Sequence, residues 1–401
     1  MGTRGISMKW KHPGHEYDHV YENICRKKRY YIFGAGDYGR HLRTILEKEF
    51  DLIAFIDNSE KKQGTVIDGL SCIPFSQVKK NEEIGIIMSV SQMQRGDIIV
   101  QLEQAGWKRN VDFFIIEEFL SVYYVYKYGR VYFLSISFLP STACNLRCAS
   151  CLNFNPYAKT FYIRSWEQIK SDIDAFFACV DHILLFHVSG GEPFLNRLLP
   201  DVIEYLDAQY GDRIDILRTV TNGTVVPSDE LCARLAKTKV EVTVDDYRDA
   251  VPKYRENFPK LLDQFDKHHI PYTINKADEW IDLMPAKADF HDKDEAWMEQ
   301  HFNACCQSWQ ELRAGKLYSC NYDAYATVAG INPPQDDEVY DLTDFRPEKK
   351  KELVEFRLGY NKKGYTNLCR HCLGFGPMNT HKVAPAVQAE HGLSLREGEH
   401  V

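Results

Sequence analysis

The sequence predicts an α/β protein with three parts: an N-terminal parallel sheet, a central partial (β/α)6 barrel, and a small cysteine-bearing extension. Apolar strand-like stretches alternate with amphipathic helix-like stretches over residues 29–120, a rhythm typical of parallel sheets covered by helices. The rhythm restarts near residue 131 and breaks up after about 283. A chain of 401 residues exceeds one typical domain. The predicted boundaries are 1–125, 131–283, 284–382 and a flexible tail at 383–401.

A glycine-rich loop marks the first predicted sheet. The strand RYYIF leads into FGAGDYG, which supplies G-x-G-x-x-G as Gly34, Gly36 and Gly39 before a helix, and Asp57 ends the next strand. This context is typical of a dinucleotide-binding unit. The region resembles the small Rossmann-like domains attached to sugar-modifying enzymes of surface polysaccharide pathways. That resemblance implies a nucleotide or nucleotide-sugar ligand; NAD and a docking domain without ligand are the alternatives.

Five further strands are predicted in the central region, each followed by a helix or a polar loop. The strands lie near 132–139, 182–189, 214–221, 239–245 and 270–275, and the helices near 166–179, 196–210, 227–237 and 251–268. The polar stretches STACNLRCASC, SGGEP, TNGT and DDY all follow strands. In barrels of βα units the chemistry lies at these strand ends.

Three cysteines crowd the first of these polar stretches. Cys144, Cys148 and Cys151 are spaced C-x3-C-x2-C, and no further Cys or His occurs before Cys179. Three thiolates can hold three corners of a [4Fe–4S] cluster and leave one iron open. Zinc with a distant fourth ligand is the alternative.

The spacing of these cysteines after a first barrel strand resembles the signature of the radical S-adenosylmethionine (SAM) superfamily. The resemblance implies a [4Fe–4S] cluster on the three thiolates, with SAM bound to the open iron. Members usually carry an aromatic or large apolar residue before the third cysteine, where this chain has Ser150.

Two later motifs extend the resemblance. Gly190, Gly191 and Glu192 resemble the family's GGE motif, whose backbone and carboxylate receive the SAM amino group. A carboxylate suits a bound ammonium, and glycine allows backbone to approach a ligand closely. Thr221 and Asn222, in TNGT, resemble a third landmark that meets the ribose or carboxylate of SAM. A simple Asn-Gly turn is the alternative for TNGT.

A second group of cysteines lies in the extension. Cys305 and Cys320 frame C-x9-G-x4-C, and Cys369 and Cys372 form C-x2-C. These spacings resemble the opening of the SPASM extension of radical SAM enzymes, shortened as in the twitch variant. The resemblance implies one auxiliary [4Fe–4S] cluster, with four-cysteine zinc as the alternative. Cys306 is a candidate hydrogen-atom donor or an alternative ligand.

Other polar residues fall at or near strand ends. Asp245 and Asp246 end the fourth central strand and are candidates for accepting a substrate proton or binding substrate hydroxyls. Capping of the following helix is the competing explanation. His187, inside an apolar strand, is expected to be a hydrogen-bonded core histidine.

The composition of the chain bears on which classes of binding partner are expected. The net charge is −8, and no long Lys/Arg run is visible, which argues against nucleic acid. No secretion signal is seen, and charges break the most apolar stretch, so we expect a cytoplasmic protein without membrane insertion.

Taken with the resemblance, these features predict a radical SAM enzyme. It would cleave SAM reductively to a 5′-deoxyadenosyl radical, drawing electrons from a donor such as flavodoxin or ferredoxin. The N-terminal region favours a sugar, nucleotide-sugar or polysaccharide intermediate as substrate, with epimerisation, dehydrogenation or rearrangement as the outcome. The alternatives are a maturase of a ribosomal peptide or protein, and a non-catalytic iron–sulfur or zinc protein that senses redox state or docks a partner.

Overall fold

A computed structural model describes residues 10–283, 288–305, 309–375 and 378–390. The described chain forms two compact units. The N-terminal unit comprises residues 12–130 together with 350–358, and the central unit comprises the remaining described residues. The segment 350–358 lies inside the range 284–382 expected to form the extension, but it packs with the N-terminal unit.

The N-terminal unit contains one sheet with the strand order β3-β4-β2-β1-β5-β6. All neighbours pair in parallel except β3 and β4, which form an antiparallel hairpin. The strands β1 to β6 are Arg29–Phe33, Asp51–Ile56, Val66–Ile67, Leu70–Ile73, Ile84–Met88 and Phe113–Ile115. Every residue of β5 is buried, as expected for a strand inside a parallel sheet covered on both faces.

Five helices belong to this unit. The helices α1 to α4 are Asp18–Arg26, Asp37–Leu46, Gln92–Gln104 and Ile116–Tyr128, and α11 is Lys350–Arg357. α11 packs on α4, where Leu353, Val354 and Phe356 are buried. The apolar face of α11 could be read from the sequence, but its distant partner could not.

The central unit contains an eight-stranded sheet with the order β11-β10-β9-β8-β7-β13-β14-β15. Strands β7 to β11 are parallel and adjacent in chain order, as the predicted βα units require. The strands β7 to β16 are Tyr132–Phe138, His182–Val188, Ile214–Thr221, Glu241–Asp245, Tyr272–Asn275, Trp280–Ile281, Glu311–Arg313, Lys316–Tyr318, Val339–Asp341 and Lys382–Val383. This open arrangement agrees with the predicted partial barrel.

Six α-helices lie in the described residues of the central unit. The helices α5 to α10 are Trp166–Cys179, Leu199–Tyr210, Asp229–Leu235, Asn257–His268, Glu295–Ala304 and Asn321–Ala329. α5 begins at a capping box formed by Ser165 and Gln168. Its residues Phe176 and Phe177 pack against Phe186 of β8, so this side of the sheet is the hydrophobic core.

The opposite side of the sheet carries polar side chains. His187 is in register with Arg218, and Asp245 with Asn275, and neighbours in register share a face. Thr243 lies on this face too, since it is two residues beyond Glu241, the register partner of Arg218. We call the surface formed by His187, Arg218, Thr243, Asp245 and Asn275 the inner face.

The extension continues the central sheet. β13 lies parallel to β7, with Ser137 donating from its backbone N–H to the carbonyl of Gln310 at 2.9 Å. A tight turn at Ala314 and Gly315, both with positive φ, leads to antiparallel β14 and β15. The glycine of the C-x9-G-x4-C spacing is therefore a hairpin residue.

None of the helices in the described ranges combines the length and apolarity that crossing a membrane would require.

Candidate metal centre

The three-cysteine loop follows β7 and is held by its own polar side chains. Thr142 donates its backbone N–H to the carbonyl of Tyr162 at 2.9 Å, and Asn155 donates its amide to the carbonyl of Thr142 at 3.0 Å. Donors also point at sulfur: Leu146 N–H lies 3.4 Å and Asn222 Nδ2 3.7 Å from Cys144 Sγ.

The chemistry of the three thiols fits a bound metal group. Burial raises the pKa of Cys144 to about 12 and that of Cys148 to about 11, and neighbouring thiols of the set add to both shifts. Burial also raises the pKa of Cys151. Buried thiols lose their protons when a metal supplies the compensating charge, so this loop suits iron or zinc and not a free nucleophile.

The spacing of the ligands bears on which metal group fits. Within the described ranges, no three His, Cys, Asp or Glu side chains converge closely enough to hold one metal ion. Zinc draws thiolates in to about 2.3 Å from a single centre, whereas a cubane cluster spreads its ligands over several irons. The three thiols of this loop are donors that suit either metal group.

The GGE motif packs against the start of the cysteine loop. Gly191 donates its N–H to the carbonyl of Ser141 at 3.0 Å, and Glu192 donates its N–H to the carbonyl of Ala143 at 2.8 Å. A Cβ on Gly191 would lie 2.6 Å from the carbonyl carbon of Ala143. Close approach of two backbones is thus the physical reason for glycine at this position.

The Glu192 side chain joins the GGE and TNGT motifs. Its carboxylate accepts hydrogen bonds from Thr221 Oγ1 at 2.9 Å, Asn222 N–H at 2.8 Å and Phe194 N–H at 3.1 Å. Burial raises the pKa of Glu192 to about 7, with the Asp245 charge contributing. An incoming ammonium would stabilise this carboxylate as an anion.

The two candidate aspartates differ in their surroundings. Asp245 accepts hydrogen bonds from Tyr247 Oη at 2.8 Å and Asn275 Nδ2 at 2.7 Å, and burial raises its pKa. The Asp246 carboxylate is held by the Arg248 guanidinium, which lowers its pKa. Asp245 is the member of the pair that adjoins Glu192 and the inner face.

A family model for the radical SAM superfamily matches residues 138–268, which span the cysteine loop, GGE, TNGT and Asp245. Residues 138–268 of the chain therefore form a radical SAM domain. The family implies a [4Fe–4S] cluster with SAM, and Cys144, Cys148 and Cys151 are the residues that would hold that cluster. The protein is accordingly a radical SAM enzyme.

The solved structures that match this chain include two that contain SAM (AdoMet). A structure of anSMEcpe with bound AdoMet and Cp18Cys peptide has a TM-score of 0.39 and 14% identity, and the match covers 65% of this chain and 92% of that chain. BtrN in complex with AdoMet and 2-DOIA has a TM-score of 0.36 and 13% identity, covering 59% and 92%. UDP-D-quinovosamine 4-dehydrogenase from Vibrio fischeri is 30% identical over 20% of this chain and 75% of that chain, with a TM-score of 0.18. A search of curated proteins finds no similar sequence.

The extension of this radical SAM enzyme places four cysteines near enough for their charges to act on one another. The pKa values of Cys320 and Cys372 are raised by burial and then by the neighbouring Cys305 and Cys369. Backbone N–H groups lie 3.2 Å from Cys305 Sγ and 3.3 Å from Cys372 Sγ, and Thr366 Oγ1 lies 3.4 Å from Cys369 Sγ. Buried thiols with such donors suit an auxiliary metal group. Cys306 lies outside the described residues.

In the glycine-rich loop of the N-terminal unit, close packing accounts for the glycine at position 39. A Cβ on Gly39 would overlap the carbonyl oxygen of Gly34, so close contact between helix and strand accounts for Gly39. The Asp57 carboxylate accepts hydrogen bonds from Ala35 N–H at 3.0 Å and Lys62 Nζ at 2.9 Å. Gly36 caps α2 without such crowding. The acid that would hold ribose hydroxyls is thus bound to the loop itself.

A C-terminal segment contacts the cysteine loop where the sequence predicts a flexible tail. Val387 accepts a hydrogen bond from Ala149 N–H at 2.7 Å, and Ala389 donates its N–H to the carbonyl of Arg147 at 2.7 Å. The described part of the predicted tail is therefore paired. Its small and polar residues gave no periodic signal from which this pairing could be predicted.

Four further residues lie in or beside the site: His187 differs from the sequence-based expectation, Asn145 was missed, and Tyr247 and Trp280 supply aromatic rings. The Nε2 atom of His187 is buried without a hydrogen-bond partner among the described residues, contrary to the expected hydrogen-bonded core histidine. Asn145 links the loop to TNGT by donating to Thr224 Oγ1 at 2.8 Å; its position between two cysteines was the available signal. Tyr247 and Trp280 are aromatic residues that pack with the cysteine loop, whereas Ser150 supplies no ring.

Proposed function

We propose that this radical SAM enzyme abstracts hydrogen from a sugar, nucleotide-sugar or polysaccharide intermediate. The observation that carries the proposal is the polarity of the inner face. An imidazole, a guanidinium, a hydroxyl, a carboxylate and an amide project from four adjacent strands beside Glu192 and the cysteine loop. A surface rich in hydrogen-bonding groups matches a hydroxylated substrate.

The inner face offers both donors and acceptors. Arg218 pairs with Glu241, and both side chains are about one-third exposed. His187 carries a buried imidazole whose pKa is lowered to about 4 by burial and by Arg218. It is therefore neutral at pH 7 and can donate or accept one hydrogen bond with a substrate hydroxyl.

Asp245 is the proposed acceptor nearest the chemistry. Its hydrogen bonds to Tyr247 and Asn275 fix the carboxyl group at the end of β10. In this position it can bind a substrate hydroxyl or accept its proton. Asp246 stays paired with Arg248 and is proposed only to support this strand end.

A [4Fe–4S] cluster held by Cys144, Cys148 and Cys151 would supply one electron, taken from a reductant such as flavodoxin or ferredoxin, for the reductive cleavage of SAM to a 5′-deoxyadenosyl radical. Glu192 and the TNGT amides would orient the SAM amino and carboxylate groups. The four cysteines of the extension would hold a SPASM- or twitch-like auxiliary [4Fe–4S] cluster.

Iron counting tests the cofactor assignment. Anaerobically reconstituted enzyme should hold about eight irons and form 5′-deoxyadenosine when SAM and a reductant are added. Replacing Cys144, Cys148 and Cys151 together by Ala should halve the iron and abolish deoxyadenosine, whereas Cys25→Ser, at an exposed lone cysteine, should change neither. Four irons with SAM cleavage would contradict the auxiliary cluster, and bound zinc without cleavage would contradict the enzyme.

Isotope transfer tests the substrate class. Deuterated nucleotide-sugars should transfer deuterium into 5′-deoxyadenosine, and Arg218→Gln should raise KM more than it lowers kcat. Arg248→Lys is the matched control, because Arg248 lies outside the inner face. Transfer from a peptide library and from no saccharide would contradict the proposal and favour the maturase alternative.

A further inference from the structure

The C-terminal segment forms a short strap across the cysteine loop. We define the C-terminal strap as residues 385–390. It forms an antiparallel bridge with the loop at Cys148 and Gln388, with the two backbone hydrogen bonds described above on either side. Ala386 is fully buried in the same apolar cluster as Cys148 and Tyr247. The strap is therefore part of the environment of the cysteine loop.

The Gln388 side chain makes three hydrogen bonds, one through its amide oxygen and two through its amide nitrogen. Its Oε1 atom accepts the backbone N–H of Arg147 at 2.7 Å. Its Nε2 atom donates to the carbonyl of Ala386 at 2.7 Å and to Cys148 Sγ at 3.4 Å. The oxygen thus anchors the strap to the loop, and the nitrogen supplies a hydrogen bond to one of the three sulfur ligands.

We propose that Gln388 is a positioning residue that raises the reduction potential of the cluster held by Cys144, Cys148 and Cys151, and that the C-terminal strap shields this cluster from solvent. A reduced cluster carries more negative charge than an oxidised one, so a donor to its thiolate stabilises the reduced form more strongly. Hydrogen bonds to sulfur and solvent exposure are among the factors that set cluster potentials. Cys148 is 8% exposed with the strap in place.

Two substitutions test the sulfur hydrogen bond, and the first of them keeps the oxygen that anchors the strap, whereas the second removes both atoms. Gln388→Glu keeps the oxygen that accepts from Arg147 but replaces the donor facing Cys148 with an acceptor. Gln388→Leu removes the donor without adding charge. Val387→Ser is the control, because the Val387 side chain is half exposed and its backbone hydrogen bond is unchanged.

The test is a redox titration of the reconstituted enzyme followed by electron paramagnetic resonance, before SAM is added. At the wild-type midpoint, both Gln388 variants should show a reduced-to-oxidised ratio lower by about threefold or more, the effect of losing one weak hydrogen bond. Val387→Ser should titrate as wild type. A chain ending at Val383 should in addition lose its cluster absorbance in air several-fold faster than the point variants.

The inference rests on the cluster assignment, and the titration distinguishes the two failures. Wild-type enzyme that assembles no cluster on the three cysteines would contradict the proposed function itself. Gln388 variants that hold a cluster at the wild-type potential, or hold none while Val387→Ser does, would overturn the tuning role. Unchanged air sensitivity of the shortened chain would overturn the shielding role.

Discussion

Replacing Gly191 by Ala should displace the cysteine loop without altering any proposed ligand. The new Cβ would lie 2.6 Å from the carbonyl carbon of Ala143 and closer still to the carbonyl oxygens of Thr142 and Ala143. Ordinary contacts need about 3.5 Å, so the loop must move by about 1 Å. The neighbouring Gly190 is less crowded, because its Cβ would meet Ser141 O at 3.1 Å.

The energetic consequence follows from the same contacts. The shift breaks the hydrogen bonds of Gly191 N–H and Glu192 N–H to the loop, at about 1 kcal/mol each. Overpacking adds about 1–3 kcal/mol. We therefore expect Gly191→Ala to lose about 3–5 kcal/mol of unfolding free energy, or about 10 °C in Tm, and Gly190→Ala to lose about 1 kcal/mol.

The assays are thermal unfolding by circular dichroism, iron content and the rate of 5′-deoxyadenosine formation. A displacement of 1 Å at a reacting site can lower a rate about 100-fold, so Gly191→Ala should lose most activity and part of its iron. Gly36→Ala is the control, since its Cβ would meet nothing within 4 Å. Wild-type Tm, iron and rate in Gly191→Ala would refute the packing argument.

Three further predictions concern other parts of the molecule. Burial raises the pKa of Glu311 to about 8 from 4.5, so its protonated form favours folding and stability falls by about 1.4 kcal/mol per pH unit as pH rises between these values. Glu311→Gln should flatten that slope in unfolding titrations from pH 5 to 8, and an unchanged slope would show that Glu311 does not titrate there. Asp57→Asn should destabilise the N-terminal unit by about 1 kcal/mol at pH 7, because Lys62 lowers the pKa of this carboxyl against the effect of burial. The difference in melting between variant and wild type should shrink as pH falls below 3.8, and a difference that does not change with pH would contradict this prediction. Cys369→Ser should lower the iron content by about four per chain while the electron paramagnetic resonance signal of the first cluster remains; full iron would exclude Cys369 as a ligand.

The sequence predicted the elements whose signals are local. The strand at 214–221 and the helix at 166–179 agree with the structure as Ile214–Thr221 and Trp166–Cys179, because each has clear periodicity between turn residues. The helix predicted at 251–268 begins later, at Asn257, since Pro252 starts a separate short turn. Boundaries set by prolines and caps are harder to place than the elements themselves.

Long-range pairing could not be read from the sequence. The attachment of α11 to the N-terminal unit and of the strap to the cysteine loop depend on partners more than 200 residues away. The candidate metal-binding cysteines could be proposed from their spacing, because ligands on one loop must be separated by a few residues. No sequence pattern pointed to Gln388, because a single glutamine in a polar segment is most often an ordinary exposed residue.

The continuity of the central sheet has a consequence for electron flow. β7 ends where the three-cysteine loop begins, and β14 ends just before Cys320, with only β13 between the two strands. The hydrogen-bonded ladder therefore connects the start of the three-cysteine loop with the position of Cys320. Strand pairing would limit how far Cys320 can move relative to that loop, and with it the variation in any electron-transfer distance between groups bound at the two places.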